Sequence, residues 1–394
     1  MAEQSGEVVS QVGAAQLLSR NDRGEELLLL DVRNDEEFES WKLEGRRPVE
    51  TLHIPYFSFI EDEESSIARV PKGREVLVLC GQGGSSDMVA DLLRQAGYSA
   101  RNVAGGMVAY GDLLQPVKVP LGPDEADRFE LVQVNRRGKG CLSYIIRARD
   151  EAIVVDASRH VEWYEGRLQE LGARIVWVLD THVHADHLSG GPELAARSRA
   201  PYFVAAGSDF HVKQKVHPVK DGEQIRLGGP QGVSLEFRAV ATPGHTPGST
   251  SYLIGGRYLL SGDTLFVSSV GRPDLGGQVE AWGRALFHTL QAKLAALPDD
   301  TIVLPAHYAE PTEIGPEGVV WGRLGNLRRT VPELQIRNEE GFVAAMRTSL
   351  AKPPESYAQI IGVNLGLATV TPERATEWEL GKNQCAASTR PPHR

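Results

Sequence analysis

Two kinds of hydrophobic run divide the chain. Over residues 8–113, fully apolar runs alternate with helix-spaced stretches. GEELLLLDVR and REVLVLC (74–80) read as buried parallel strands, and SDMVADLLRQAGY carries Met88, Leu92 and Leu93 at helical spacing. The charge run EDEESS (61–66) between them reads as a solvated loop. From residue 130 strands follow one another: FELVQV, CLSYIIRA and EAIVVDAS precede a helix, VEWYEGRLQELG. The buried run ARIVWVLD then feeds a polar loop, and SLEFRAVATPG, SYLIGGRYLLSGD and TIVLPAHY read as later strands. Strand runs mixed with helices predict mixed sheets with helices outside. QPVKVPLGPDEADRF (115–129), with prolines among charges, marks a boundary. The expected division is a first domain at 1–118, a linker at 119–128, a second domain at 129–366 and a tail at 367–394. The end of that tail loses periodicity and is expected to be loosely held.

Composition narrows the function. Apolar residues make up 41% and charged residues 24% of the 394, values that exclude wholesale disorder. The net charge of −10 argues against a nucleic-acid surface. Residues 1–120 hold 20 Asp and Glu against 12 Lys and Arg, and the rest 32 against 30, an asymmetry that fits two units. Cys80, Cys141 and Cys385 are too few and too scattered for a disulfide framework. The start MAEQSGEVVS lacks a basic and an apolar region, so no signal peptide is expected, and no apolar run reaches the roughly 18 residues of a membrane span. A soluble cytoplasmic protein is expected, a homo-oligomer being allowed.

The strongest chemical signal is Thr181-His182-Val183-His184-Ala185-Asp186-His187, directly after a buried strand. Side chains two apart on an extended segment share a face, so His182 and His184 can converge. His245 in TPGHTPGS, Asp263 in LLSGDTLF and His307 in VLPAHY each follow a predicted strand. Ligands gathered from several strand ends make a rigid metal site. His160, His211, His217, His288 and His393 stand alone and read as ordinary histidines; Cys141 reads as a buried apolar residue.

These residues resemble the metallo-β-lactamase superfamily over about residues 130–365, which implies a four-layer αββα sandwich with the site at the edge of its two sheets. The segment Gly271-Arg272-Pro273-Asp274 resembles the persulfide dioxygenase branch. That resemblance implies one Fe(II) per chain on His182, His245 and Asp263, with a small thiol persulfide of the glutathione type and O2 as substrates. His184, Asp186, His187 and His307 would then orient ligands or hold water, Asp186 steering water or protons. Arg272 would bind a substrate carboxylate at two points. The same positions also resemble glyoxalase II, a dinuclear zinc thioester hydrolase. In that reading His182, His184 and His245 hold one zinc, Asp186, His187 and His307 the other, and Asp263 bridges. Ligand counting leaves both readings open.

Upstream, Cys80 ends a strand and opens the loop Gly81-Gln82-Gly83-Gly84-Ser85-Ser86 before a helix. Glycine-rich backbone N–H groups and a helix N-terminus favour an anion there, including a persulfide on Cys80. With Asp31, Arg33, His53, Pro55 and NVAGGMVAY in order, residues 8–113 resemble a rhodanese (sulfurtransferase) domain, a doubly wound α/β parallel sheet. Many rhodaneses carry Cys-x-x-x-x-Arg; Ser85 stands in that arginine's place, which puts thiosulfate in doubt as the donor. The combined expectation is a persulfide dioxygenase with a fused sulfurtransferase; the alternative is a thioester hydrolase with a regulatory rhodanese.

Overall fold

The computed structural model of the chain describes residues 10–204, 216–228, 235–350 and 352–387; His211 and His393 lie outside them. The chain forms two compact units. Residues up to Gln115, Arg136–Lys139 and Leu380–Lys382 make the first, and the remainder the second, so two short later segments belong to the first unit.

The first unit is built on five parallel strands, β1 (Gln11–Gly13), β2 (Leu28–Asp31), β3 (Glu50–His53), β4 (Val76–Leu79) and β5 (Ala100–Ala104), in the order β1-β5-β4-β2-β3. The apolar runs are continuous because both faces are covered. Leu28, Leu30, Val76 and Val78 pack with Phe59, Val89, Leu93 and Tyr98, while Leu29, Leu77 and Leu79 pack with Leu17, Leu18, Met107 and Tyr110 on the other side. The helix after β4 runs Gly84–Gln95 and turns Val89 and Leu93 inward, leaving Met88 39% exposed. The acidic run is not a loop. Glu61 ends the helix Tyr56–Glu61, and the Asp62 carboxylate accepts from Ser65 N–H to cap the helix Glu63–Ala68. Glu63 and Glu64 fall in that helix's first turn, where negative charge is favourable.

The second unit has two mixed sheets. The first contains β6 (Gln115–Lys118), β7 (Glu130–Arg136), β8 (Cys141–Ala148), β9 (Glu151–Val155), β10 (Arg174–Asp180), β11 (Tyr202–Val204) and β12 (Val216–Pro218), neighbours in sequence order. The second, also in sequence order, contains β13 (Gln224–Leu227), β14 (Leu235–Ala241), β15 (Thr250–Ile254), β16 (Tyr258–Gly262), β17 (Ile302–Pro305) and β18 (Gly322–Arg323). Their inner faces interdigitate through Leu131, Tyr144, Ile153 and Leu179 from one sheet and Phe237, Tyr252, Leu260 and Leu304 from the other. Helices cover the outer faces: Val279–His288 and Glu339–Ser349 bury Leu286, Phe342 and Met346 against the second sheet. This is the αββα sandwich.

Through residue 387 the tail is held, against expectation; 388–394 lie outside the described residues. Thr371 caps a helix at Pro372–Trp378, Ala375 packs on Leu188 and Ile360, and Cys385 is 0% exposed. The periodicity fails because the last segment runs extended against Val270 and Gly271, anchored by Ala387 N–H to Val270 O at 2.8 Å.

One buried carboxylate in this unit gives a clean stability test. Glu333 is 2% exposed, Oε2 lacks a hydrogen-bond partner, and burial raises its carboxyl above the usual range. A raised folded pKa means the fold favours the protonated form. That contribution is present below the unfolded carboxyl range and lost as pH rises through the folded value. Glu333→Gln is therefore expected to stabilise the unit by about 1 kcal/mol at pH 7, and the gain should vanish near pH 4 in chemical denaturation.

Candidate metal centre

Strand register brings the candidate ligands together. β9 and β10 pair in parallel with Val155 opposite Leu179, so Asp156 lies beside the loop that begins at Thr181. β16 and β17 pair in parallel with Gly262 opposite Pro305, which sets Asp263 beside His307. Thr250 N–H donates to Thr181 O at 2.8 Å and ties the two sheets at this edge.

Three ligand atoms converge without partners. Asp263 Oδ2 lies 3.5 Å from His182 Nε2 and 3.4 Å from His245 Nε2. All three atoms are buried and none has a hydrogen bond. Such orphaned atoms are costly unless a cation completes them, and bonds of about 2.1 Å to one ion would suit this spacing. The hydrogen bonds also set the tautomers. Thr181 Oγ1 donates to Asp156, so at 2.9 Å it accepts from His182 Nδ1–H. The Arg272 carbonyl can only accept, so His245 Nδ1–H donates to it at 2.9 Å. Each ring thereby offers a lone pair at Nε2. Burial lowers the His245 imidazole to about 4, so it is neutral at pH 7 as a ligand must be. Burial alone would raise the Asp263 carboxyl, but His307 and His182 hold it well below the usual range. The residues fit a bound metal ion.

The remaining candidates are engaged differently. Asp186 Oδ1 accepts from His187 Nδ1–H at 3.1 Å, and its Oδ2 accepts from Cys141 Sγ–H at 3.0 Å. His307 Nδ1–H donates to Asp263 Oδ1 at 2.6 Å, and its Nε2 is buried without a hydrogen bond. Asp186 is fully buried and bonded at both oxygens. His184 Nε2–H donates to Asp156 Oδ1 at 3.1 Å; its ligand atoms group with Asp156 and Asp180, and its Nδ1 is unpartnered.

Arg272 is not free to meet a substrate. It is 2% exposed; Nε and Nη2 donate to the two Asp274 oxygens at 2.7 and 2.8 Å, and Nη1 donates to Gln384 O at 3.1 Å. The two-point carboxylate bond is real but lies within the chain. The segment serves the site through its backbone. Arg272 O orients His245, and a Cβ on Gly271 would stand 1.8 Å from Asp263 O, so only glycine permits the approach.

Two contributors escaped the sequence reading. Asp156 fixes Thr181 and His184, and its only sequence signal is an acid closing an apolar strand. Asn364 Nδ2 donates to His184 O and His187 O at 2.8 and 2.9 Å, and its Oδ1 accepts from Ser189 N–H at 2.9 Å. Nothing local distinguishes it, since its partners lie some 180 residues away. Asn364→Ala should cost about 2–3 kcal/mol in thermal or urea unfolding by freeing this loop.

In the first unit, Cys80 Sγ accepts from Gly83 N–H at 3.0 Å and lies 3.1 Å from Ser86 Oγ, which also reaches Asn102 Oδ1 at 2.8 Å. Gly83 adopts φ 95°, and the helix begins at Gly84, so Ser85 and Ser86 sit in its first turn. Among the unselected histidines, His217 and His288 pair with Glu223 and Glu339 at the surface, and His160 precedes the helix Val161–Glu170.

Comparison with known proteins agrees with this architecture. The metallo-beta-lactamase superfamily matches residues 136–307 and the rhodanese-like domain matches residues 13–112. The chain belongs to the metallo-beta-lactamase superfamily, with a rhodanese-like domain N-terminal to that fold. Within it, the chain is homologous to the mitochondrial persulfide dioxygenase ETHE1 of Homo sapiens, 28% identical over 235 residues covering 59% of this chain and 85% of that one. The crystal structure of ETHE1 from Myxococcus xanthus matches with a TM-score of 0.51 at 27% identity, over 60% of this chain and 98% of that one. The hydroxyacylglutathione hydrolase of Erwinia tasmaniensis is 31% identical over 206 residues, 52% of this chain and 76% of that one.

Proposed function

We propose that the protein oxidises a low-molecular-weight thiol persulfide of the glutathione type with O2, using one Fe(II), and exchanges sulfane sulfur through Cys80. Persulfide, O2 and water would give thiol, sulfite and two protons. The observation that carries this reading is the convergence, among the described residues, of three unpartnered ligand atoms, His182 Nε2, His245 Nε2 and Asp263 Oδ2. Two imidazoles and one carboxylate suit ferrous iron, which when bound supplies the redox capacity and open coordination positions the oxidation needs. The chain's own residues hold that geometry. Thr181 and the Arg272 carbonyl fix the two imidazoles, and His307 fixes Asp263. Homology to persulfide dioxygenases supports the same reaction.

The rhodanese-like domain would load sulfur on Cys80 and hand it to a small thiol, making the substrate of the second domain. The extents proposed are 1–118 and 129–366, joined at 119–128 and followed by 367–394. A cytoplasmic setting accords with three free cysteines, and no described helix is long and apolar enough to cross a membrane.

The dinuclear zinc hydrolase remains the second reading. Similarity to hydroxyacylglutathione hydrolases and the group Cys141, Asp186, His187 and His307 favour it. An oxygen electrode separates the two. With glutathione persulfide the iron-loaded protein should consume O2 and release equimolar sulfite, without cleaving a glutathione thioester. Thioester cleavage without oxygen uptake selects the hydrolase.

A further inference from the structure

We propose that Cys80 takes its sulfur from a small organic persulfide with an apolar body, and not from thiosulfate. This rests on Cys80 as sulfur carrier and names its donor. Cys80 lines a cavity of about 770 Å³ whose walls include Val32, Trp41, Tyr56, Phe57, Met107 and Val108. That volume lies in the range of roughly 300–1,000 Å³ that holds organic ligands, and thiosulfate would leave most of it unfilled. Phe57 is 55% exposed, an aromatic ring that an apolar ligand would cover.

Charge points the same way. Among the described residues, the one cationic side chain on the lining is Arg33, and it is buried and committed. Its Nε and Nη2 donate to Asp31, Nη1 to Glu37 O, and Nη2 also to Trp41 O. Glu37 adds an anion, and Ser85 lines the cavity without charge. A dianion brought to Sγ would lose water with no uncommitted cationic side chain among the described lining residues to replace it. A neutral R–S–SH carries no such cost. The Cys80 thiolate attacks its outer sulfur, the Sγ–S bond forms and the R–S–S bond breaks. The released R–S⁻ takes up the proton the persulfide carried, and the Cys80 persulfide anion stays beside Gly83 N–H and the Ser86 hydroxyl.

The test is anaerobic loading of the full, metal-replete chain, read by intact mass and by mapping the added sulfur to Cys80. Oxygen exclusion makes this readout independent of the second domain's reaction. Benzyl persulfide should load Cys80 at least about 100-fold faster than thiosulfate. Ser85→Arg should raise thiosulfate loading by about tenfold, as one charge-assisted contact would. Phe57→Ala, at an exposed position, should slow loading from benzyl persulfide more than loading from thiosulfate. Thiosulfate loading the wild type as fast as benzyl persulfide overturns the donor class while keeping Cys80 as carrier. No sulfur on Cys80 from any donor overturns the carrier role and this inference with it.

Discussion

Replacing His182, His245 or Asp263 with alanine should strip the metal and end persulfide-dependent oxygen uptake, whereas His187→Ala should keep its full complement of bound metal. The difference follows from which atoms lack partners. His182 Nε2, His245 Nε2 and Asp263 Oδ2 are held together by their surroundings and have no hydrogen bonds to fall back on. Removing one leaves two ligands where three are preorganised, a loss of at least about 100-fold in affinity given that even supporting residues typically cost 10–100-fold. His187, by contrast, has no buried ring nitrogen left without a hydrogen bond, and its Nδ1–H donates to Asp186. Metal analysis of the purified variants checks this. A half-loss of metal in His187→Ala would mean that a second ion belongs to the site.

Arg272→Leu should unfold far more easily than the wild type, with a loss of about 3 kcal/mol, the lower end expected for breaking a buried ion pair because Asp274 is partly exposed. For a unit of this size that corresponds to a fall in Tm of roughly 6–12 °C. Three connections go together: the fork onto Asp274, the bond to Gln384 O, and the packing that seats Arg272 O under His245. Arg272→Lys keeps the charge but loses the fork, and should fall between. Thermal unfolding beside a KM measurement decides the role. Unchanged Tm with a raised KM would return Arg272 to the substrate-clamp role expected from its sequence.

The contrast at Arg272 shows what a sequence can and cannot convey. His182, His245, Asp263 and His307 were legible because each follows an apolar strand and the strand period aims short polar residues at one edge. The partner of Arg272 was not legible as a partner, because Asp274 two residues on looks no different from a solvated acid. Asn364, Cys385 and the extended segment that reaches Val270 act through contacts made only after folding. No periodicity announces them. The helix capped by Asp62 was hidden for another reason: its run of acids has no apolar face to reveal a period, and the cap is a single carboxylate.

The most direct measurement of the central claim is anaerobic titration of the metal-free chain with Fe(II), followed by metal analysis and a crystal structure of the product. Saturation is expected at one iron per chain, bound by His182, His245 and Asp263, with His187 still on Asp186. Saturation at two ions bridged by Asp263, with Asp186, His187 and His307 drawn onto the second, would contradict that claim.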